Sequence, residues 1–188
     1  AYGDVTLTAR LGYIGAATNE LDIDSRRSGN TGLVTSYSDQ NTYLIEQTGD
    51  MWLNTVGVSP ENAATTAYLT ATVGGIFNGA PTNASNVTSG RAYLIAQTDI
   101  GSALKPIFTT LGALQSLSTT GSTYVTNAGA LDVTVLDGGA GLGQESGGVI
   151  ATVASSPITV SNNILAAGHI TLTASESAIK DYDIITIN

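Results

Sequence analysis

A seven-residue phrase occurs three times in this chain, and it constrains the fold more than any other feature of the sequence. The copies are Gly3–Ala9, Gly90–Ala96 and Gly168–Ala174, and their glycines lie 87 and 78 residues apart. Each copy begins with Gly, alternates apolar with polar or mixed residues, and ends at Ala. A sequence that repeats while tolerating substitution indicates a reused structural unit, so we predict an all-β protein built as a β-solenoid.

More of the unit recurs between the copies. Ile14-Gly15 follows the first copy as Ile100-Gly101 follows the second, and residues 42–53 align with residues 122–133. The order is kept while the spacing drifts by a few residues, as expected when insertions fall in surface turns and the strands keep their register. We therefore expect a single solenoid domain over residues 1–188, with units that start near residues 3, 90 and 168.

The composition favours strands over helices. Hydrophobic residues make up 42% of the 188 residues, which is enough for a continuous core, while charged residues make up only 11%. Typical globular domains carry about 25% charged residues. Small and β-branched polar residues suit outward strand faces and tight turns. With on the order of 20 residues to a rung, the chain would form about nine rungs and almost no helix.

Charge and cysteine content exclude several classes of protein. The net charge is −9 and the six cationic residues are scattered, so no basic stripe exists for nucleic acid. The absence of cysteine excludes disulfides and thiolate metal sites. No apolar run reaches the roughly 18 residues that a membrane span requires. Because the chain begins with Ala, we expect it to be processed or cut from a longer protein.

Four segments resemble a known family: Gly168–Ala174, Asp99–Pro106, Gly121–Val133 and Ser155–Val160. They are similar to the haemagglutinin-type repeats of filamentous haemagglutinin-like adhesins, which are giant bacterial surface and secreted proteins. The resemblance spans essentially the whole chain and is clearest over residues 90–174. It implies a right-handed parallel β-helix, an extracellular or cell-surface location, and a role in adhesion or in extending other domains outward. It implies no catalytic residues.

Two pairs of aspartates are candidate calcium ligands. Asp22 and Asp24 flank Ile23 on a predicted strand, and Asp181 and Asp183 flank Tyr182 in the same way. Residues two apart on a strand point to the same face, so each pair offers two carboxylates together. Calcium takes six to eight oxygen ligands, which turn carbonyls and nearby Asn would have to complete. A solvated strand face with outward acids explains the same pattern.

No arrangement of residues predicts an enzyme. Glycan lyases and hydrolases on β-helices need clustered carboxylates with Arg or Lys in a groove, and matched spacing of that kind is not visible. We expect no cofactor other than calcium. Eight tyrosines outnumber Phe and Trp together, and exposed ones either stack on sugars or partner proteins or simply cap ladders of the solenoid. Asn83 and Asn86 each begin a glycosylation acceptor sequence.

These observations lead to one prediction and two alternatives. We expect an extracellular stalk or filament-forming segment of an adhesin-like surface protein, which associates with itself end to end. Its surface would meet a cell-surface glycan or protein. The first alternative is a carbohydrate- or calcium-binding adhesive module on the same scaffold. The second is a β-sandwich fibre subunit that polymerises by donating a strand, with Val5–Ala9 or Asp183–Asn188 as the donated segment.

Overall fold

The computed structural model describes residues 3–27, 30–59, 62–136, 142–175, 179–181 and 185–187. Within these residues the chain is all-β, with no helix. None of the described segments is therefore a helix long and apolar enough to cross a membrane. Alternation of apolar and polar residues, with a period of two, places one set of side chains inside and the other outside.

The chain forms many short strands, and turns separate them. The strands, numbered β1 to β22 in chain order, are Val5–Ala9, Leu21–Ile23, Arg26–Arg27, Asn30–Thr31, Leu33–Ser38, Thr42–Glu46, Met51–Val58, Thr66–Ala71, Ile76–Asn78, Val87–Thr88, Arg91–Ala96, Ile107–Thr110, Ala113–Ser118, Thr123–Asn127, Leu131–Val133, Gln144–Ser146, Ile150–Ala154, Ile158–Val160, Ile164–Ala166, Ile170–Ala174, Ile179–Asp181 and Ile185–Ile187.

The strands form two sheets that the chain visits in alternation. The first sheet follows the path β1-β5-β7-β10-β12-β14-β17-β20, and β9 also pairs with β7. The second follows β2-β6-β8-β11-β13-β15-β18-β21, with β16, β19 and β22 alongside. All the described strand pairs in these two sheets are parallel; the pair β3–β4, between β2 and β5, is antiparallel. This is a β-solenoid, whereas the β-sandwich alternative requires antiparallel sheets.

Each sheet path holds eight strands, so the described chain makes eight coils, one fewer than the nine rungs predicted. The difference arises from insertions that lengthen some coils. Paired residues lie 18 positions apart at Ile107 and Val125, but 31 apart at Val56 and Val87. In the longer coil, two short strands pair with β7: β9 lies alongside its first half and β10 alongside its second half. The residues that connect β9 to β10 belong to no strand.

Identical apolar residues stack inside the solenoid. Leu44 pairs with Leu69, and Leu69 pairs with Leu94, on three successive strands of the second sheet. All three side chains are fully buried. Neighbouring strands lie about 4.8 Å apart, so Leu69 lies between the other two leucines of the stack. Burying one such side chain contributes about 1.5–3 kcal/mol. The next two positions in register are the buried polar residues Ser116 and Gln144, and Ile164 follows them, while the hydrophobic core as a whole runs from Val5 to Ala166.

The repeated phrase occupies equivalent positions on alternating sheets. Its three copies fall on β1, β11 and β20, which belong to the first, second and again the first sheet. Each passage of the chain through a sheet is half a coil, and successive copies are seven half-coils apart in both cases. The sequence unit is therefore three and a half coils long, and this odd number of half-coils moves each strand of the unit to the opposite sheet.

The loops within the unit also repeat. Gly15 and Gly101 both have φ of 67°, a left-handed conformation that glycine adopts without steric cost. The backbone N–H of Tyr43 donates to the Ile14 carbonyl at 2.7 Å, and Tyr124 donates to Ile100 at 2.8 Å. The two loops have the same length and backbone bonding, so the predicted alignment of Ile14-Gly15 with Ile100-Gly101 holds in three dimensions.

One buried polar position repeats as well, with different side chains. Glu46, at the end of β6, is 0% exposed and accepts hydrogen bonds from Ser25 N at 2.9 Å and Ser25 Oγ at 2.8 Å. Asn127, seven half-coils later on β14, accepts from Leu111 N at 2.9 Å and Thr109 Oγ1 at 2.8 Å. In both units this side chain caps the turn of the preceding coil, which satisfies a backbone donor that would otherwise be unpaired. The predicted alignment of residues 42–46 with 122–126 is therefore wrong by one residue, because β6 matches β14 with Glu46 at Asn127 and Tyr43 at Tyr124.

Candidate functional site

Three tyrosines form a column on the outer face of the second sheet. Tyr43, Tyr68 and Tyr93 lie in register on β6, β8 and β11. The rings of Tyr43 and Tyr68 are stacked, with centroids 4.4 Å apart and planes 6° from parallel. Tyr93 meets Tyr68 edge-on, with centroids 6.4 Å apart and planes at 67°. Because neighbours on each strand point inward, alternation fixes all three rings outside the core. We name this set the tyrosine column.

Only one face of the Tyr43 ring is covered by another ring of the column, and we name the face directed away from Tyr68 the open face. Tyr68 covers the face directed toward the following coil. The other face is directed toward the first coil, where the loop of residues 15–20 connects Ile14 to β2. This loop is fixed by the turn at Gly15 and by a pair of backbone hydrogen bonds, at 3.0 Å each, between Ala16 and Asn19. A Cβ on Gly15 would lie 2.4 Å from the Tyr43 carbonyl oxygen, so only glycine allows this close approach.

Two adjoining cavities lie along the column and share Ala17 and Tyr43. The smaller has a volume of about 230 Å³ and also contacts Glu20, Thr70 and Ile95 together with the other two tyrosines of the column. The larger has a volume of about 380 Å³ and extends to the turns that precede β6 and β8; its further lining residues are Tyr13, Ala16, Gln40, Asn41, Asn62, Ala64 and Thr65. We name the two cavities together the tyrosine groove.

Hydrogen bonds orient the polar side chains at the larger cavity. Asn41 Nδ2 donates to the Tyr43 hydroxyl at 3.1 Å, while Asn41 Oδ1 accepts from the backbone N–H of Thr66 at 2.8 Å. The Tyr43 hydroxyl therefore accepts from Asn41 and keeps its own proton for donation to another group. Asn62 Oδ1 accepts from the backbone N–H of Ala64 at 3.0 Å, which fixes that amide at the rim.

The phenol of Tyr93, at the far end of the groove, keeps its proton. Burial raises the pKa of the Tyr93 phenol above its ordinary value of 10.0, and the nearby Glu145 carboxylate raises that pKa further. The phenol is therefore neutral throughout the physiological pH range and acts as a hydrogen-bond donor. Glu20 contributes a carboxylate to the wall of the smaller cavity. The groove thus combines aromatic surface with amide, hydroxyl and carboxylate groups that can bond to hydroxyls.

The spacing of the three tyrosines in the sequence is a signal for this column, but it is readable only when the coil length is known. Tyr43, Tyr68 and Tyr93 are spaced by 25 residues twice, which is the length of the coils between them. Recognising that spacing requires the local coil length, and coil length varies along this chain. The tyrosines were predicted to be exposed candidates for stacking on a ligand, but without a common position.

The predicted calcium residues fall in two separate places. Asp22 lies exposed on β2, and its Oδ1 accepts from Gln47 Nε2 at 3.1 Å; Asp24 is partly buried just beyond the strand. The side chain of Asp181 and the whole of Asp183 lie outside the described residues. β2 begins the second sheet path and β21, which includes the backbone of Asp181, ends it.

No group of three or more acidic or histidine residues that could hold a metal ion occurs among the residues described by the structure. The calcium site stays a prediction. Calorimetric titration of calcium into the wild type and into a variant carrying Asp22→Asn and Asp24→Asn would test it directly. Heat of binding that the double variant loses would establish the site, and identical titrations would reject it.

The two glycosylation acceptor sequences differ in access. Asn86 is 0% exposed, and its Nδ2 donates to the Leu53 carbonyl at 3.1 Å and to Asn78 Oδ1 at 3.0 Å. Its Oδ1 accepts from the backbone N–H of Phe108 at 3.0 Å. Asn83 is exposed in the preceding loop. The side chain of Asn86 therefore belongs to the scaffold, and Asn83 is the accessible acceptor of the two.

Comparison with known proteins adds no family. No family model, no curated protein and no solved structure matches this chain significantly.

Proposed function

We propose that this chain is a structural and adhesive module: a stalk or filament-forming segment of an adhesin-like protein at the cell surface or in the extracellular space. The observation that carries the proposal is the stacking of eight parallel coils around one hydrophobic core. Each coil contacts only its neighbours, so such a rod can be lengthened without a change of design. This function requires rigidity and a surface, and no catalytic residue.

The resemblance to adhesin repeats supports the same assignment. It is clearest over residues 90–174, which cover one complete unit of seven half-coils. The low fraction of charged residues and the Ser and Thr residues of the outer strand faces suit a long rod whose surface consists mostly of backbone and small side chains. An adhesin of this kind extends a binding surface away from the cell, and the tyrosine groove provides such a surface on the side of the rod.

End-to-end association is part of the proposal, and the position of β1 in its sheet supports it. β1 is the terminal strand of the first sheet path and pairs only with β5. Its other edge therefore has backbone groups with no strand partner in the described chain, and such edges pair readily with a strand from another molecule. Sedimentation at increasing concentration tests this point. Growth into linear oligomers supports filament formation, and a monomer at every concentration rejects it.

Single-molecule pulling from the two ends tests the mechanical role. A stacked solenoid should unravel in a series of small steps, because each coil loses only its neighbour contacts. Coils of 18 to 31 residues at about 3.5 Å per extended residue would release roughly 60–110 Å at each step. A single rupture that releases the whole chain, or extension without measurable resistance, would contradict the proposed stalk.

A further inference from the structure

We propose that the tyrosine groove binds a neutral glycan, with one pyranose ring lying against the open face of Tyr43. The inference rests on the proposed adhesive function and specifies both the class of ligand and the residues that recognise it. The groove lies on the outer face of the second sheet and is partly lined by the first coil, whereas end-to-end stacking would use the backbone edge of the terminal strand β1.

The shape of the groove favours a flat ligand with an apolar face. The Tyr43 ring lines both cavities and is covered on one side by Tyr68. Ala17 from the 15–20 loop lines both cavities as well. A pyranose ring presents axial C–H groups on its faces, and these pack against the electron-rich face of an aromatic ring. Stacking against Tyr68 also holds the Tyr43 ring in position, so little side-chain entropy is lost on binding.

The polar lining matches the hydroxyls at the edge of a sugar. Gln40, Asn41 and Asn62 line the larger cavity, and a side-chain amide offers both donors and an acceptor. A sugar hydroxyl is likewise both donor and acceptor, so amides and hydroxyls pair in either direction. The Tyr43 hydroxyl already accepts from Asn41 and has its own proton available for a ligand oxygen. Glu20 adds a carboxylate that accepts from hydroxyl groups.

Charge selects against acidic sugars. Glu20 is the one formally charged side chain among the described residues that line the two cavities, and the whole chain carries a net charge of −9. Sialylated or sulfated glycans would be repelled by this field. A quaternary ammonium ligand would tolerate the charge but is best held within a cage of several ring faces. The described lining offers a ligand only one ring face, that of Tyr43, because Tyr93 meets Tyr68 edge-on. A neutral sugar ring therefore fits this groove better than a quaternary ammonium group does.

The internal repeat supplies a comparison that argues against a purely structural role. Seven half-coils after the tyrosine column, the equivalent positions on β14, β17 and β20 hold Tyr124, Ala151 and Thr171, in register with one another. The same scaffold therefore forms without the aromatic stack. The loop beside Tyr124 has the same backbone geometry as the 15–20 loop, so Tyr124 provides a matched control for Tyr43.

The test uses saturation-transfer NMR on the full chain, preceded by a screen on an array of neutral and acidic glycans. The soluble probes are methyl β-glucopyranoside, methyl β-galactopyranoside, trimeric N-acetylglucosamine, sialyllactose and choline. We expect at least one neutral saccharide to receive saturation mainly at its ring C–H protons. Tyr43→Ala should weaken that binding by about tenfold or more, whereas Tyr124→Ala should change it by less than about twofold.

A second variant keeps every tyrosine. Ala17→Trp fills the shared part of the groove from an exposed loop position, and it should abolish binding while the circular dichroism spectrum and melting temperature stay those of the wild type. Several results would overturn the proposal: no neutral glycan binding on the array or in solution up to about 10 mM, binding of choline or an acidic glycan alone, or equal losses for Tyr43→Ala and Tyr124→Ala. A normal stepwise unravelling under force in those cases would leave the stalk function intact.

Discussion

Two repeat units of the solenoid share the same scaffold but carry different side chains at equivalent positions on their outer surface. On the second sheet, the column at β6, β8 and β11 is Tyr43, Tyr68 and Tyr93. Seven half-coils later, on the first sheet, the equivalent column is Tyr124, Ala151 and Thr171. Register, loop geometry and turn capping are shared by the two units. The comparison teaches that the fold needs the buried ladder and the glycine turns, while the aromatic stack is an addition to one unit.

The largest effect should come from the buried capping position that both units share. Glu46→Ala leaves the backbone N–H and hydroxyl of Ser25 without their acceptor inside the protein, and Asn127→Ala does the same to Leu111 N and Thr109 Oγ1. Each substitution should lower the free energy of unfolding by about 2–4 kcal/mol. Urea titration measures both values. A loss confined to one unit would show that the two caps are not equivalent.

The glycine turns should behave as a matched pair. Gly15→Ala and Gly101→Ala force a side chain into a left-handed conformation, and the new Cβ would lie 2.4 Å and 2.5 Å from the carbonyl oxygens of Tyr43 and Tyr124. Each change should cost about 2 kcal/mol or more in unfolding free energy. Thermal melts of the two variants test this expectation. Tolerance of alanine at either position would mean that the loops are not constrained as described.

The outward-facing columns should contribute differently to the free energy of unfolding in the two units. Tyr68→Ala removes ring contacts on both sides of the column and should cost about 1–2 kcal/mol of unfolding free energy. Tyr124→Ala, whose neighbour in register is Ala151, should cost less than about 1 kcal/mol. The reciprocal change Ala151→Tyr places a ring next to Tyr124, and near-UV circular dichroism would detect a new stacked pair. Equal costs for the two alanine variants would remove the distinction between the columns.

A smaller effect should appear at alkaline pH. The pKa of Tyr93 is raised by burial and by Glu145, so the unfolded chain loses this phenolic proton at a lower pH than the folded chain does. The folded state therefore loses stability as pH rises above about 10, through the interval up to the raised pKa. Tyr93→Phe should reduce this decline, as measured by urea unfolding at pH 8 to 11. An unchanged decline would indicate that Tyr93 titrates normally.

The smallest effect on stability should come from the glycosylation acceptor sequences that begin at Asn83 and Asn86. In an N-glycosylating expression host, mass spectrometry should find glycan on Asn83 and none on Asn86, because Asn86 is buried and bonded within the scaffold. Stability should change by less than about 0.5 kcal/mol, since Asn83 is in an exposed loop. Asn83→Gln provides the control. Glycan on Asn86 would mean that β9 and β10 do not form as described.

The sequence was sufficient to predict strands, repeats and a solenoid, because the period-two alternation and the Gly-to-Ala phrase are local signals. The phrase marks β1, β11 and β20, and Ile14-Gly15 matches Ile100-Gly101 as expected. The number of coils was overestimated, because insertions such as the one between Asn78 and Val87 lengthen a coil without adding a rung.

The tyrosine groove could not be predicted from the sequence, and the reason is again the variable length of the coils. Tyr43, Tyr68 and Tyr93 come together only because two successive coils have the same length and their strands pair in register. The alternation between sheets also depends on the count of half-coils, which no short pattern encodes. The residue types at the site were visible in the sequence, but their common position depends on the long-range register of the sheets.

The stacking of eight coils is the central claim, and a distance between the first and last coils tests it most directly. The chain contains no cysteine, so Thr8→Cys and Thr173→Cys, at exposed positions on β1 and β20, allow specific spin labelling. Seven coil steps of about 4.8 Å place these backbone positions roughly 34 Å apart. Pulsed electron paramagnetic resonance should give one narrow distribution near that distance, broadened by the label arms. A broad distribution, or a mean beyond about 60 Å, would contradict the stacked solenoid.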